Sequence, residues 1–145
     1  MVEKQVRSYG SWKSPITSDL IVSETVGLGQ PRIEGEEIYW LEMRPSEGGR
    51  NVVVRRDLAG RTKDITPQPF NVRTRVHEYG GGDYVVNDRI VYFSNFVDQR
   101  LYSQSLDGEP RAITPESQMR YADAVFDKRR QRLICVREDH TVAGS

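Results

Sequence analysis

A set of repeated short motifs is the feature that most constrains the fold of this 145-residue chain. Two motif pairs recur 48 positions apart: Leu58-Ala59-Gly60 with Leu106-Asp107-Gly108, and Asp64-Ile65-Thr66-Pro67 with Ala112-Ile113-Thr114-Pro115. Upstream of them, Ile38-Tyr39-Trp40 is matched by Val91-Tyr92-Phe93 at a spacing of 53 positions. The five additional residues fall naturally in the 44–50 loop. A third copy begins at Leu133-Ile134-Cys135.

Periods of 40 to 50 residues with four short strands per unit are typical of β-propeller blades. The predicted fold is all-β, an incomplete β-propeller of about two and a half four-stranded blades. Its expected parts are an N-terminal segment over 1–20, a first blade over about 20–70, a second over about 71–118, and the start of a third over about 119–145. The alternative is two unrelated β-meanders that share a motif by chance. An incomplete ring is expected to expose apolar surface at its two ends.

Strand predictions rest on short runs rich in β-branched and aromatic residues between turn signals. They cover Glu36–Glu42, Asn51–Arg56, Asp83–Asn87, Arg89–Ser94, Arg100–Leu106 and Gln131–Arg137. The nearest approach to a helical pattern is Asp123–Arg132, where the apolar positions are too sparse for a helix.

Composition excludes several classes of function. The 21 basic and 21 acidic side chains cancel, which argues against a dedicated nucleic-acid or membrane-surface protein. No run approaches 18 apolar residues, and the first ten residues are too polar for a secretory signal. A single cysteine, Cys135, is consistent with a reducing, cytoplasmic location.

Polar residues that could form a site are concentrated in the segment 71–84. In an extended strand, Arg73, Arg75 and His77 would share one face and Glu78 would lie on the other. The functional interpretation is a polar site at the propeller mouth. An arginine would bind a carboxylate or an acidic partner, and Glu78 would bind a cation such as a substrate amino group. The structural interpretation is an ion-pair cluster that joins blades, with Gly80 to Gly82 allowing close backbone approach.

Motifs for other chemistry are absent from the sequence. There is no phosphate-binding loop and no Gly-x-Ser-x-Gly nucleophile motif. The two histidines, His77 and His140, have no metal-ligand spacing with the nearby acidic residues, so neither a metal nor a cofactor is predicted. Segment 138–140 is interpreted as a solvated loop; the alternative is that it faces the same end as His77, at the axial mouth. Cys135 is interpreted as a packing residue.

The string from Arg73 to Gly82 resembles the propeller signature of the prolyl oligopeptidase family, especially acylaminoacyl-peptidase and dipeptidyl-aminopeptidase-like members. Segments 9–16, 120–123 and 137–140 are similar to the same group. The resemblance implies a propeller above an α/β-hydrolase domain that carries a Ser-Asp-His triad. This chain contains no such domain, so no catalytic residue is assigned. The resemblance implies substrate binding by the segment's polar and aromatic residues: Arg73, Arg75, His77, Glu78 and Tyr79.

Three hypotheses for the function follow. The first is an inactive N-terminal propeller fragment that gates and orients small peptides or acylaminoacyl substrates for a serine peptidase, with the remaining blades and the hydrolase domain as partners. The second is a stand-alone propeller module that self-associates to bind a protein or ligand. The third, an independent metal or esterase-like activity at His77 and His140, lacks a nucleophile. No nucleic-acid or membrane partner is predicted.

Overall fold

The computed structural model describes residues 6–11, 14, 16–17 and 25–142. Their secondary structure is β-strand apart from one turn of 3-10 helix at Pro45–Glu47. Among these residues, no helix is long and apolar enough to cross a membrane. The predicted N-terminal segment falls largely outside the described ranges.

The first sheet is an antiparallel meander of four strands in the order β1-β2-β3-β4. Its strands are β1 (Gly27–Glu34), β2 (Glu37–Arg44), β3 (Arg50–Arg56) and β4 (Thr62–Asp64). β2 and β3 overlap predicted strands because each contains a short run of β-branched or aromatic residues. β1 was not predicted, since its two glycines and Pro31 conceal the pattern. A β-bulge interrupts its pairing with β2 between Gly29 and Arg32.

The second sheet repeats this arrangement in the order β5-β6-β7-β8. Its strands are β5 (Tyr84–Asn87), β6 (Ile90–Ser94), β7 (Leu101–Ser105) and β8 (Arg111–Ala112). The repeated aromatic segments lie on β2 and β6, the second strand of each sheet. The repeated Ile-Thr-Pro segments come directly after β4 and β8, so the sequence repeat is a structural repeat.

A third sheet pairs β9 (Met119–Asp127) with β10 (Arg132–Asp139) in antiparallel register. The third motif copy lies on β10, again the second strand of its sheet. β9 was not predicted. Tyr121, Ala122 and Ala124 are buried, whereas Asp123 and Val125 are exposed. A register shift in the pairing with β10, beside Asp123 with φ of 53°, interrupts the two-residue period.

The main core lies between the first two sheets. Tyr39, Val53, Tyr84 and Phe93 are at most 1% exposed and belong to one apolar cluster. Phe70, in the connection between the sheets, packs edge-on against Phe93 with ring centroids 6.0 Å apart. Burial of aromatic surface is the main favourable contribution to packing of this kind.

Contacts also join the second and third sheets. Tyr92 stacks on Phe126 at 5.7 Å, and the Ser94 hydroxyl donates a hydrogen bond of 2.7 Å to the Tyr121 carbonyl. Exposed apolar side chains remain on β1 and β10, where Leu28 is 73% and Ile134 48% exposed.

Candidate functional site

The segment 71–83 connects the first two sheets and begins in extended form. Val72 forms a β-bridge with Asn95, and the Arg73 amide donates to the Ser94 carbonyl at 3.0 Å. Thr74 and Val76 are 2% and 0% exposed, whereas the intervening Arg75 is exposed. The predicted alternation therefore holds as far as Val76, and it holds because Val72, Thr74 and Val76 fit the buried side.

The alternation ends in a turn at His77 and Glu78, so the predicted strand over these residues is wrong. Both have left-handed backbone geometry, with φ of 58° and 61°. The Glu78 amide donates to the Arg75 carbonyl at 3.1 Å, and the Gly80 amide donates to the Val76 carbonyl at 3.0 Å. Two adjacent non-glycine residues in this region are uncommon and are often found at functional sites. The turn exposes His77, Glu78 and Tyr79 together rather than dividing them between two faces.

The three glycines allow the chain to leave the turn against the third sheet. Gly80 has φ of 90°, which glycine adopts readily. A Cβ atom at Gly82 would lie 2.9 Å from Oδ1 and 3.3 Å from Cα of Asp123. The Gly82 amide donates to that Oδ1 atom at 2.6 Å, and the Asp123 amide donates to the Gly82 carbonyl at 2.9 Å. The predicted close backbone approach is therefore present, with Asp123 as the neighbour.

Arg73 and Arg75 extend over a common aromatic ring. Their guanidinium carbons lie 5.2 Å and 4.3 Å from the centroid of the Phe96 ring, which is cation–π geometry. The Arg75 amide donates to the Gln99 side-chain oxygen at 2.7 Å. The two predicted arginines thus form one cationic pair over Phe96.

Glu138, at the end of β10, holds the turn from the opposite side. Its Oε1 accepts a hydrogen bond of 2.7 Å from the His77 amide, and its Oε2 lies 3.0 Å from His140 Nε2. The His140 side chain and the His77 amide both lower the pKa of Glu138. Segment 138–140 was predicted to be a solvated loop, but Glu138 belongs to the strand. The alternative interpretation shares with the structure the proximity of segment 138–140 to His77.

An acidic cleft lies beside this contact. It has a volume of about 350 Å³ and is lined by Glu78, Glu138, Asp139 and His140. Within the described part of the chain, the Glu78 carboxylate makes no hydrogen bond or ion pair, whereas Glu138 and Asp139 are occupied by nearby donors. Three carboxylates around one concave surface favour binding of a cation, and Glu78 is the one available to pair with it.

A second cleft of about 300 Å³ adjoins the acidic cleft, and His140 lines both. The other residues around the second cleft are mostly polar: Val97, Asp98, Gln99, Ser117, Gln118, Met119 and Arg120. Arg120 brings a positive charge to this wall. In the sequence, Arg120 stands out only as part of the family-like segment 120–123. Recognising its place in a cleft would have required prediction of β9.

Asp83, Thr74 and Gln30 form a hydrogen-bonded cluster, the clasp, that fixes the end of segment 71–83 to the first sheet. Asp83 accepts hydrogen bonds of 2.6 Å from the Thr74 amide and from the Gln30 side-chain amide. Its own amide donates to Gln30 Oε1 at 3.0 Å. Burial raises the pKa of Asp83, and these hydrogen bonds oppose that effect. Gln30 lies at the bulge of β1, so the bulge positions the side chain that fixes the start of β5.

Other reactive side chains do not join the site. Cys135 is partly buried, and this burial raises the pKa of its thiol, which disfavours the nucleophilic thiolate. In the ranges that the structure describes, no group of three or more histidine, cysteine, aspartate or glutamate side chains is arranged to hold a metal ion.

The architecture defines the class of protein. Successive four-stranded antiparallel meanders that pack through a shared apolar core are the blades of a β-propeller. The loop and strand ends that carry the two clefts lie where the second blade meets the third sheet.

Solved structures identify the family more closely. A puromycin-hydrolysing peptidase from Mycobacterium tuberculosis is similar with a TM-score of 0.84 and 35% identity, over 97% of this chain and 23% of that chain. A puromycin hydrolase gives 0.77 and 34%, over 90% and 22%. A puromycin hydrolase mutant complexed with PGG gives 0.76 and 34%, over 88% and 21%. No protein-family model and no curated protein matches the sequence.

The chain belongs to the prolyl oligopeptidase family and corresponds to propeller structure of these peptidases, as the signature at 73–82 predicted. It spans less than a quarter of the length of the solved structures that it matches.

Proposed function

We propose that this chain forms part of the substrate-binding propeller of a serine peptidase that hydrolyses small peptides or aminoacyl compounds. In this role the propeller restricts access and orients the substrate, while a separate hydrolase domain performs the chemistry. We place the protein in the cytoplasm, in line with its one free thiol at Cys135.

The observation that carries the proposal is the unpaired carboxylate of Glu78 in the acidic cleft. Compounds such as puromycin, and peptides with a free N-terminus, present an ammonium group. Glu78 binds this group directly, while Glu138 fixes the turn and adds negative potential. Tyr79, 91% exposed beside Glu78, supplies an aromatic surface for the first side chain of the substrate.

Two arginines act beside the subsite that Glu78 forms. Arg73 and Arg75 form a cationic surface over Phe96 that binds an acidic group of the substrate or of the adjoining hydrolase domain. His77 contributes through its backbone amide, which orients Glu138.

The test compares binding of puromycin and N-acetylpuromycin to the 145-residue chain by NMR titration. Glu78→Gln is expected to weaken puromycin binding about two- to fivefold, the range for a solvent-exposed ion pair. Acetylation of the amino group should weaken binding to the native chain by a similar factor and have no further effect in the variant. Glu109→Gln, at an exposed position between β7 and β8, is the matched control.

A kinetic measurement applies where the segment is joined to its hydrolase domain. Glu78→Gln is expected to raise KM for substrates with a free amino terminus and to leave kcat nearly unchanged, since it removes binding common to ground and transition states. An unaltered KM, together with equal binding of puromycin and its acetylated form, would refute the assignment.

A further inference from the structure

Arg120 carries a positive charge that is largely unpaired in the described structure. It lies on β9 directly opposite Glu138 on β10. Its Nη1 atom donates one hydrogen bond of 3.3 Å, to the Arg75 carbonyl. Across residues 25–142 it has no ion pair, although a guanidinium has five N–H donors. Most of these donors are therefore available to a bound group.

The Arg120 guanidinium is adjacent to the acidic cleft. The carbonyl oxygen of Arg75 accepts hydrogen bonds from both Arg120 Nη1 and the Glu78 amide. His140 forms part of the wall of both clefts. A cationic group and an anionic group thus lie side by side, on two concave surfaces that share a wall.

The other charges around the second cleft do not compensate Arg120. Asp98 is occupied by the Tyr102 hydroxyl at 2.6 Å and by the Asn95 side-chain amide at 3.0 Å. The guanidinium groups of Arg73 and Arg75 lie over Phe96, and neither residue lines the cleft. Gln99 and Gln118 supply further polar groups to the same wall.

We propose that Arg120 is a specificity-determining residue that binds the C-terminal carboxylate of a short peptide whose amino group lies at Glu78. The preferred ligand is then a zwitterion of two or three residues, because an extended chain advances about 3.5 Å per residue and the two sites adjoin. A planar guanidinium binds a carboxylate through two parallel hydrogen bonds, which gives the site orientation as well as charge. This inference rests on the proposed function of Glu78 and assigns the opposite end of the same ligand.

The experiment measures binding of four probes to the 145-residue chain by NMR titration: Gly-Phe, its N-acetyl form, its C-terminal amide, and the doubly blocked form. Amidation is expected to weaken binding to the native chain about fivefold, in the upper range for an incompletely buried ion pair. Arg120→Gln should reduce affinity for Gly-Phe by a similar factor and abolish the difference between acid and amide. It should leave the effect of N-acetylation unchanged.

Two further variants separate charge from geometry and folding. Arg120→Lys retains the charge but loses the planar fork, and it should recover only part of the affinity. Arg111→Gln, at an exposed position on β8, should behave as the native chain does.

The outcomes distinguish failure of the Arg120 proposal from failure of the Glu78 proposal. If acetylation weakens binding and amidation does not, the role of Arg120 is overturned while that of Glu78 stands. If neither modification changes affinity, or if Gly-Phe does not bind, both are overturned. Equal affinity of the native chain and a folded Arg120→Gln variant for Gly-Phe would also overturn the role of Arg120.

Discussion

Replacing Asp83 with asparagine tests whether the clasp at Gln30 holds the first two sheets together. The carboxylate accepts from two donors, the Thr74 amide and Gln30 Nε2, both at 2.6 Å. An asparagine side chain is nearly identical in shape, but one of its two terminal atoms is a donor. That atom would face another donor in either orientation of the asparagine.

Rotation of the Gln30 amide does not remove the conflict. Its Nε2 atom also donates to the Gly81 carbonyl at 3.2 Å, and its Oε1 accepts from the Asp83 amide at 3.0 Å. Exchanging these two atoms would place Gln30 Oε1 against the Gly81 carbonyl oxygen and Gln30 Nε2 against the amide of residue 83. At least one buried polar group is therefore left without a partner in Asp83→Asn.

The expected loss of unfolding free energy in Asp83→Asn is the balance of two opposing contributions. Loss of a hydrogen bond to a charged acceptor typically costs about 1.5–3 kcal/mol. Removal of a buried charge returns part of this, since burial already raises the pKa of Asp83. We expect a net destabilisation of about 1–2 kcal/mol, equivalent to a fall of roughly 3–8 °C in melting temperature for a chain of this size.

The measurement is thermal unfolding at pH 7, followed by circular dichroism and repeated in urea. Asp107→Asn is the matched control, because Asp107 is 82% exposed and forms its ion pair with Lys63 at the surface. We expect little change in its melting temperature, because an exposed ion pair contributes little to stability. If Asp83→Asn unfolds within 1 °C of the native chain, or no earlier than the control, the clasp does not stabilise the fold and the reasoning is refuted.

Further expectations concern the glycine approach and the acid sensitivity of the fold. Gly82→Ala should destabilise the protein by about 1–3 kcal/mol, because its Cβ atom would press on Asp123. The control is Gly29→Ala, whose Cβ atom would meet no atom within 4 Å and which should leave the melting temperature unchanged or slightly higher. Equal effects of the two variants in urea unfolding would argue against the close approach at Gly82. Arg55 and Arg50 lower the pKa values of Glu37 and Glu47, respectively, to about 2. A carboxyl group whose pKa is lower in the folded state than its unfolded value near 4.5 stabilises the fold at pH values above 4.5. The free energy of unfolding should therefore fall by about 1 kcal/mol per group as pH drops from about 5 to 2. Glu37→Gln should flatten the pH dependence of melting temperature over that window, and a slope equal to that of the native chain would contradict this.

The predicted strands succeeded where short runs of β-branched and aromatic residues are buried. β6 buries Val91 and Phe93 in alternation, and β3 buries the consecutive valines Val52, Val53 and Val54. β1 and β9 escaped prediction because irregular pairing interrupts their alternation. β1 has a bulge and two glycines, and β9 has a register shift against β10 beside Asp123.

The sequence also predicted the alternation in the segment with the candidate residues but not the turn that follows it. Alternation correctly separates Arg73 and Arg75 from buried Thr74 and Val76. It fails at His77 and Glu78, because left-handed geometry at non-glycine residues is not imposed by local preference. Here Glu138 binds the His77 amide from another sheet, 61 positions away in sequence, and stabilises the turn.

The sequence by itself determined the class of fold, because a repeated unit of short apolar strands can bury its side chains only by stacking similar sheets. Only the tertiary structure decided which charges meet. Glu78 and Arg120 become neighbours through a carbonyl of Arg75, and Glu138 reaches the turn from β10. Such contacts depend on the packing of separate sheets, which no local preference along the chain encodes.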